Sequence, residues 1–293
     1  MNIQTESFLA ESAADTAADW AAVGKPHPHE SAILHVSGEA SYTDDLPELQ
    51  GTLHAALGLS QKAHAKVRGM DLDRVRSAPG VVAVLTASDI PGVNDCGPII
   101  HDDPILADGL VQYVGQPLFM VVADSHDNAR RAVRAAQVDY DELPAILTPE
   151  AARDAQSLVL PPMQLRRGDA QAALAAAPRI LRGTLNVGGQ EQFYLEGQVA
   201  YAIPQEDRSM LVQCSTQHPS EMLHVVAHAL GWSSHQVRVE CRRMGGGFGG
   251  KESQSALWAA AAAIAAARLK RPVKLRADRE RHPRRQRLRP HHP

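Results

Sequence analysis

A chain of 293 residues, 44% apolar and 22% charged, has the composition of a globular protein and, at roughly 100 to 200 residues per domain, points to two domains. Wholesale disorder and a single short binding module are both excluded. The formal charge of −3 is an average, because residues 281–293 hold five arginines and no acid, leaving 25 basic against 33 acidic residues before them, a net −8. That acidic body lacks the excess of Lys and Arg that a nucleic-acid partner demands.

In chain order, residues 1 to about 30 mix Ala, Asp, Glu and Ser with Lys25-Pro-His-Pro-His29 and predict a loose leader. Met1 to Glu11 has no basic and apolar targeting pattern, and the longest apolar run, Ala256 to Ala267, is too short to span about 30 Å of hydrocarbon, so no membrane partner and a cytoplasmic location are expected. From about Gly38 the pattern alternates: a strand over 53–59, a short helix over 71–77, a strand over 81–85, a strand over 117–123 and a helix from about 126 to 136. In that last helix Ala129, Ala132, Ala135 and Ala136 recur at helical spacing. A mixed α/β (α+β) domain over 31–150 is the consequence. Pro161-Pro162 and the alanine-rich stretch 168–177 read as a connector over 151–178 carrying one surface helix. A second α/β segment over 179–279 follows, with strands at 180–187, 199–203, 210–214 and 236–242, helices at about 219–230 and 253–270, and a new strand from Val273 after Pro272.

The most informative stretch is Met244-Gly-Gly-Gly-Phe-Gly-Gly-Lys-Glu252, between an alternating strand and a long helix. Five glycines in six positions suit a tight bend or a close approach to a ligand, and the helix start that follows offers free N–H groups. A ligand-free flexible turn is the plain alternative. Gly245, Gly250 and Lys251 fit G-x-x-x-x-G-K, but Glu252 stands where a phosphate loop needs Ser or Thr. Gly245, Gly247 and Gly250 fit G-x-G-x-x-G, yet the acidic residue expected about 20 positions on is missing, which weakens the dinucleotide reading and an NAD-binding dehydrogenase with it.

A third reading uses more of the chain. Gly188-Gly-Gln-Glu-Gln-Phe-Tyr-Leu-Glu196, the interval of about fifty residues to Arg243-Met-Gly-Gly-Gly-Phe-Gly-Gly-Lys-Glu252, and Tyr113-Val-Gly-Gln-Pro117 together resemble the molybdenum-binding subunit of the xanthine dehydrogenases. Gly38-Glu-Ala-Ser-Tyr-Thr-Asp-Asp45 and Gly97-Pro-Ile-Ile-His-Asp-Asp-Pro104 resemble its bacterial purine-oxidising members. The resemblance implies a hammerhead-type α/β domain over 31–150 and, over 179–279, the first part of a molybdopterin-binding domain. It implies that Gln190 hydrogen-bonds an oxygen on molybdenum and that backbone N–H groups around Gly247, Phe248 and Gly249 face the metal's oxo group and the pterin dithiolene. It implies further that Glu252 orients a purine, as the catalytic residue of this segment, with no side chain ligating the metal directly. A molybdenum cofactor would hydroxylate xanthine or hypoxanthine towards urate, with electrons leaving through iron–sulfur clusters and FAD to NAD on a partner subunit. A non-catalytic module that keeps the hammerhead domain as a docking surface is the alternative.

Other features carry less. His224 and His228 share a helix face, but Val225 stands where H-E-x-x-H needs Glu, and packing or surface roles are expected for them and for His27 and His29. Asp102-Asp103 reads as a solvated loop pair. Cys96, Cys214 and Cys241 show no C-x-x-C spacing, so neither a disulfide framework nor an iron–sulfur cage is expected, and Cys214 and Cys241 read as buried small apolar residues in a reducing compartment. The resemblance stops near Arg279, and the Arg-, Pro- and His-rich stretch 280–293 reads as an out-of-frame tail on a truncated chain without appreciable xanthine oxidation of its own. A genuine basic tail is the other reading.

Overall fold

A computed structural model describes residues 23–278; residues 1–22 of the leader and the proposed out-of-frame tail lie outside the described residues. Two compact units are distinguished, one up to Ala40 and one from Ser41 on. In the first, helix α1 (Ala32–Ser37) ends at Gly38, whose φ of 78° is the left-handed conformation that closes helices.

In the second unit the elements are β1 (Leu53–Leu59), β2 (Ala65–Asp71), α2 (Asp73–Arg76), β3 (Val81–Thr86), β4 (Leu110–Val111), β5 (Pro117–Ala123), α3 (His126–Ala132), β6 (Gln137–Glu142), α4 (Pro149–Asp154), α5 (Ala170–Ala176), β7 (Val199–Pro204), β8 (Met210–Cys214), α6 (Pro219–Leu230), β9 (Val237–Glu240), α7 (Ala256–Leu269) and β10 (Val273–Arg276). Seven strands form one sheet in the order β3-β5-β1-β10-β7-β8-β9, and three form a second in the order β4-β2-β6. The strands before and after the connector therefore share a sheet, because β10 pairs parallel with β1 and antiparallel with β7.

The sheet is buried on both faces where β1 and β5 lie. Ala55, Leu57, Met120 and Val122 point into one core, and Ala56, Phe119, Val121 and Ala123 into the other, as the two-residue period of a strand requires. The first core is completed by α6 and α7, the second by Val75, Ala129, Ala132 and Val133. At Gly58 an added Cβ would lie 2.2 Å from the Phe119 ring, so the ring's seat on β1 is available only to glycine. Helix α7 packs on α6, β7, β8 and β10, and its alanines from Ala259 to Ala263 are fully buried. An all-round apolar helix is the signature of an interior one, and small side chains let it approach its neighbours closely.

Local chemistry explains the element ends. Ser125 caps α3 by accepting the Asn128 N–H at 3.3 Å, and Pro219 opens α6. Gly231 closes α6 at φ 67°, its N–H bonded to the Ala227 and His228 carbonyls. Three expectations are corrected. Helix α3 ends at Ala132 and tightens into a 3₁₀ turn over Val133–Ala135 rather than running to residue 136. Helix α7 starts at Ala256, because the Ser255 hydroxyl is held by Gln198 and by the Ser215 and Lys251 carbonyls. The strand expected over 180–187 does not form: Leu181, Leu185 and Val187 are exposed, and no neighbouring strand among the described residues offers the backbone partners that an apolar run needs.

Candidate functional site

The glycine-rich turn follows β9 and leads into α7, and it is held from behind by buried polar side chains. Glu196 Oε2 accepts the Gly245 N–H at 2.9 Å, the Ser215 hydroxyl at 2.5 Å and the Lys251 ammonium at 3.3 Å. Lys251 is fully buried, donates to Ser215 Oγ at 2.7 Å and lies 4.6 Å from the centre of the Tyr194 ring. Burial pushes its pKa down, and Glu196 opposes that shift, so the carboxylate favours the charged form. Gln198 donates to the Gly250 carbonyl at 2.9 Å, and Thr216 donates to the Lys251 carbonyl at 3.0 Å. The glycines are dictated by this packing: a Cβ at Gly245 would sit 2.4 Å from Glu196, and one at Gly250 would sit 2.6 Å from Tyr194.

The outer side of the turn is different. Phe248 is 75% exposed at φ 52°, and Gly249 at φ 82° has no atom within 4 Å of where a Cβ would be. Gly247 is buried, Glu252 is exposed beside the turn, and the backbone around Phe248 and Gly249 is bare. Of the three amides expected to face a ligand, that of Gly249 is already engaged: it donates to Gln217 Oε1 at 3.0 Å. The Lys251 N–H donates to the same oxygen at 3.2 Å. With its oxygen occupied by two donors, the exposed Gln217 carboxamide has its NH₂ group left for an outside acceptor.

Gln190, the glutamine singled out from sequence, lies exposed on an irregular segment and makes no hydrogen bond to the turn among the described residues. The structure thus brings Gln217 to Gly247, Gly249 and Lys251, and it packs Gln192, two residues after Gln190, against Gly250. Sequence reasoning passed over Gln217; the signal available was Ser215-Thr-Gln217 at the exit of an alternating strand, directly before a Pro-started helix. The phosphate-loop reading also fails on geometry, since the Lys251 ammonium is turned inward and cannot reach a ligand.

The domain family described as "Molybdopterin cofactor-binding domain" matches residues 152–292, and "Aldehyde oxidase and xanthine dehydrogenase, a/b hammerhead domain" matches residues 37–144. The chain belongs to the molybdenum hydroxylase family. Among its relatives, a xanthine dehydrogenase of Oryza sativa subsp. japonica is 44% identical over 263 residues, which are 88% of this chain and 19% of the relative. The aldehyde oxidoreductase of Desulfovibrio gigas superposes with a TM-score of 0.77 at 29% identity, over 88% of this chain and 30% of that one. Quinoline 2-oxidoreductase of Pseudomonas putida 86 superposes with a TM-score of 0.75 at 26% identity, over 87% of this chain and 34% of that one. The chain spans about a fifth of the length of the curated relatives it matches.

A cleft of about 630 Å³ is lined by Tyr42, Asp44, Arg130, Glu191, Glu196, Gly245 and Arg276 among others. Its charges are paired internally, Arg130 with Asp278 and Arg276 with Asp44 at 2.9 Å. Almost buried, Lys274 reaches Asp44 Oδ1 and Glu48 Oε1, each at 3.2 Å. Burial alone would raise the Asp44 carboxyl, but Lys274 and Arg276 outweigh it and hold the pKa below the ordinary aspartate value. A carboxyl depressed in the folded state stabilises the fold above its unfolded pKa and loses that contribution as pH falls through the folded value. Asp44→Asn is therefore expected to cost about 1 kcal/mol or less at neutral pH, because solvent screens these partly exposed pairs, with the difference from wild type shrinking below about pH 4, as followed by urea unfolding at several pH values.

The weaker candidates stay apart from the turn. His224 and His228 are exposed on α6 while Val225 and Val226 are buried beneath them, and no cluster of three metal-ligating side chains occurs among the described residues. Asp102 is exposed, and the Asp103 carbonyl accepts the Cys96 N–H at 2.8 Å within its loop. Cys214 is fully buried, and burial pushes its thiol pKa far up, which makes it inert. No helix among the described residues is long and apolar enough to cross a membrane.

Proposed function

We propose that this chain forms part of a molybdenum hydroxylase acting on a purine, xanthine or hypoxanthine, and that the outer side of the glycine-rich turn faces the molybdenum cofactor. The observation carrying this reading is the open space beside Gly249 next to the exposed Phe248, with one exposed carboxamide and one exposed carboxylate near the same turn. The donor set fits the group: neutral N–H donors can approach an oxo or sulfur ligand without a competing charge, and the buried ammonium that would recruit a phosphate is turned away. When bound, the cofactor supplies the two-electron oxidation and a deprotonated water at neutral pH.

The chain's own residues would bind and orient. Gln190 is proposed to hydrogen-bond an oxygen on the bound metal, and Gln217, fixed through its oxygen, presents its NH₂ group as a second uncharged donor. Phe248 offers its backbone and an exposed ring face. Glu252, lying outside the core, can accept from a purine N–H and hold the ring in one orientation. Iron–sulfur clusters and FAD on a partner subunit, with NAD as final acceptor, complete the proposed path for electrons, and the cytoplasm is the proposed location.

Incubating the purified chain with molybdopterin cofactor and measuring retained pterin by fluorescence after gel filtration tests the reading. Retention in wild type that falls about tenfold in Gln217→Ala and in Gln190→Ala is the expected outcome. A chain that retains no pterin leaves the partner-docking module as the better account.

A further inference from the structure

The two ends of the glycine-rich turn meet on one carboxylate. Glu196 exchanges two hydrogen bonds with Gly245, its own N–H donating to the Gly245 carbonyl at 3.1 Å while its Oε2 accepts the Gly245 N–H at 2.9 Å. The same Oε2 receives Lys251 Nζ at 3.3 Å, six residues further along. Ser215 bridges the pair, donating to Glu196 and accepting from Lys251. The other carboxylate oxygen takes the Thr43 N–H at 3.2 Å, which fixes the head of the side chain in place.

We infer that Glu196 and Lys251 are positioning residues that staple residues 245 and 251 together and so set the shape of the turn, including the backbone at Phe248 and Gly249. The ammonium is fully buried and both carboxylate oxygens are taken by donors of the chain itself, so the pair acts through the backbone between its two ends. A buried ion pair is costly to desolvate and is often replaceable by apolar side chains without loss of stability, which makes geometry rather than stability the property this pair secures. The purpose assigned to that geometry rests on the proposed cofactor site, whereas the staple itself does not.

The test compares wild type, Glu196→Asp and the double variant Glu196→Gln with Lys251→Met, all without cofactor, by residue-resolved hydrogen exchange and thermal melting. Glu196→Asp keeps the charge and withdraws it by one methylene; the double variant removes both charges. Amides at Gly249 and Gly250 are expected to exchange at least about tenfold faster in both variants, while amides of β1, β5 and β7 keep their wild-type protection. Wild-type exchange at Gly249 and Gly250 in either variant overturns the inference, and so does loss of protection throughout the sheet in both, since the pair would then be holding the fold and not the turn. Because exchange is read on the cofactor-free chain, failure to retain pterin would sink the proposed function and leave this result standing.

Discussion

Gly247→Ala is expected to remove pterin retention while leaving the sheet folded. An added Cβ would lie 2.5 Å from Gln217 Oε1 and 2.7 Å from its Cδ, so the carboxamide has to move. Gln217 is exposed and can do so cheaply, but moving it releases the N–H groups of Gly249 and Lys251 together. Two hydrogen bonds at about 0.5–1.5 kcal/mol each hold the turn in its shape, and their loss corresponds to roughly tenfold or more in retention, with a fall in stability of no more than those same bonds while the sheet stays folded. Gly189→Ala is the matched control: nothing lies within 4 Å of its added methyl, so retention should stay at the wild-type level. Equal losses in both variants would mean that the contact between Gln217 and the turn is not what retention depends on.

Ala262→Leu should produce the largest loss of stability. Ala262 is fully buried in a helix with α6 on one side and β7, β8 and β10 on the other. Three added heavy atoms have nowhere to go without pushing the helix off the sheet. Overpacking of this kind costs about 1–3 kcal/mol, and the cost should reach the upper end here because the residues flanking it, Ala261 and Ala263, are fully buried too. Urea unfolding followed by circular dichroism reads the effect, and Ala172→Leu on the exposed helix α5 should be nearly neutral. An Ala262→Leu variant as stable as wild type would show that α7 has room the structure does not indicate.

Much of the second unit was legible because its elements carry strong one-dimensional signals. The run Pro117 to Ala123 is apolar throughout and becomes the buried strand β5, and Pro219 with Gly231 brackets α6 to the residue. The second sheet was not legible. In β2 the charges of Lys66 and Arg68 and the break at Gly69 hide a strand that is exposed along much of its length, and in its partner β6 only Val138 and Tyr140 are apolar among Gln137, Asp139, Asp141 and Glu142. Cross-strand pairs such as Arg68 with Asp141 at 2.5 Å exist only once the strands are adjacent. The site divided along the same line. The glycines, Phe248 and Glu252 announce themselves in the turn, whereas the contact of Gln217 with Gly249 and Lys251 joins residues more than thirty positions apart and exists only in the tertiary structure.

The position of β10 has a consequence for how the chain acquires its fold. β10 is the last strand among the described residues and sits between β1 and β7, where Leu53 pairs with Val273 across 220 residues. During vectorial synthesis β1, β3 and β5 leave the ribosome with one edge of β1 unmatched, and β7, β8 and β9 leave with one edge of β7 unmatched. Neither edge can be satisfied until residue 276 has emerged. The sheet should therefore close late, in a docking step slowed by loop closure over that distance, with two open strand edges exposed to other nascent chains in the interval.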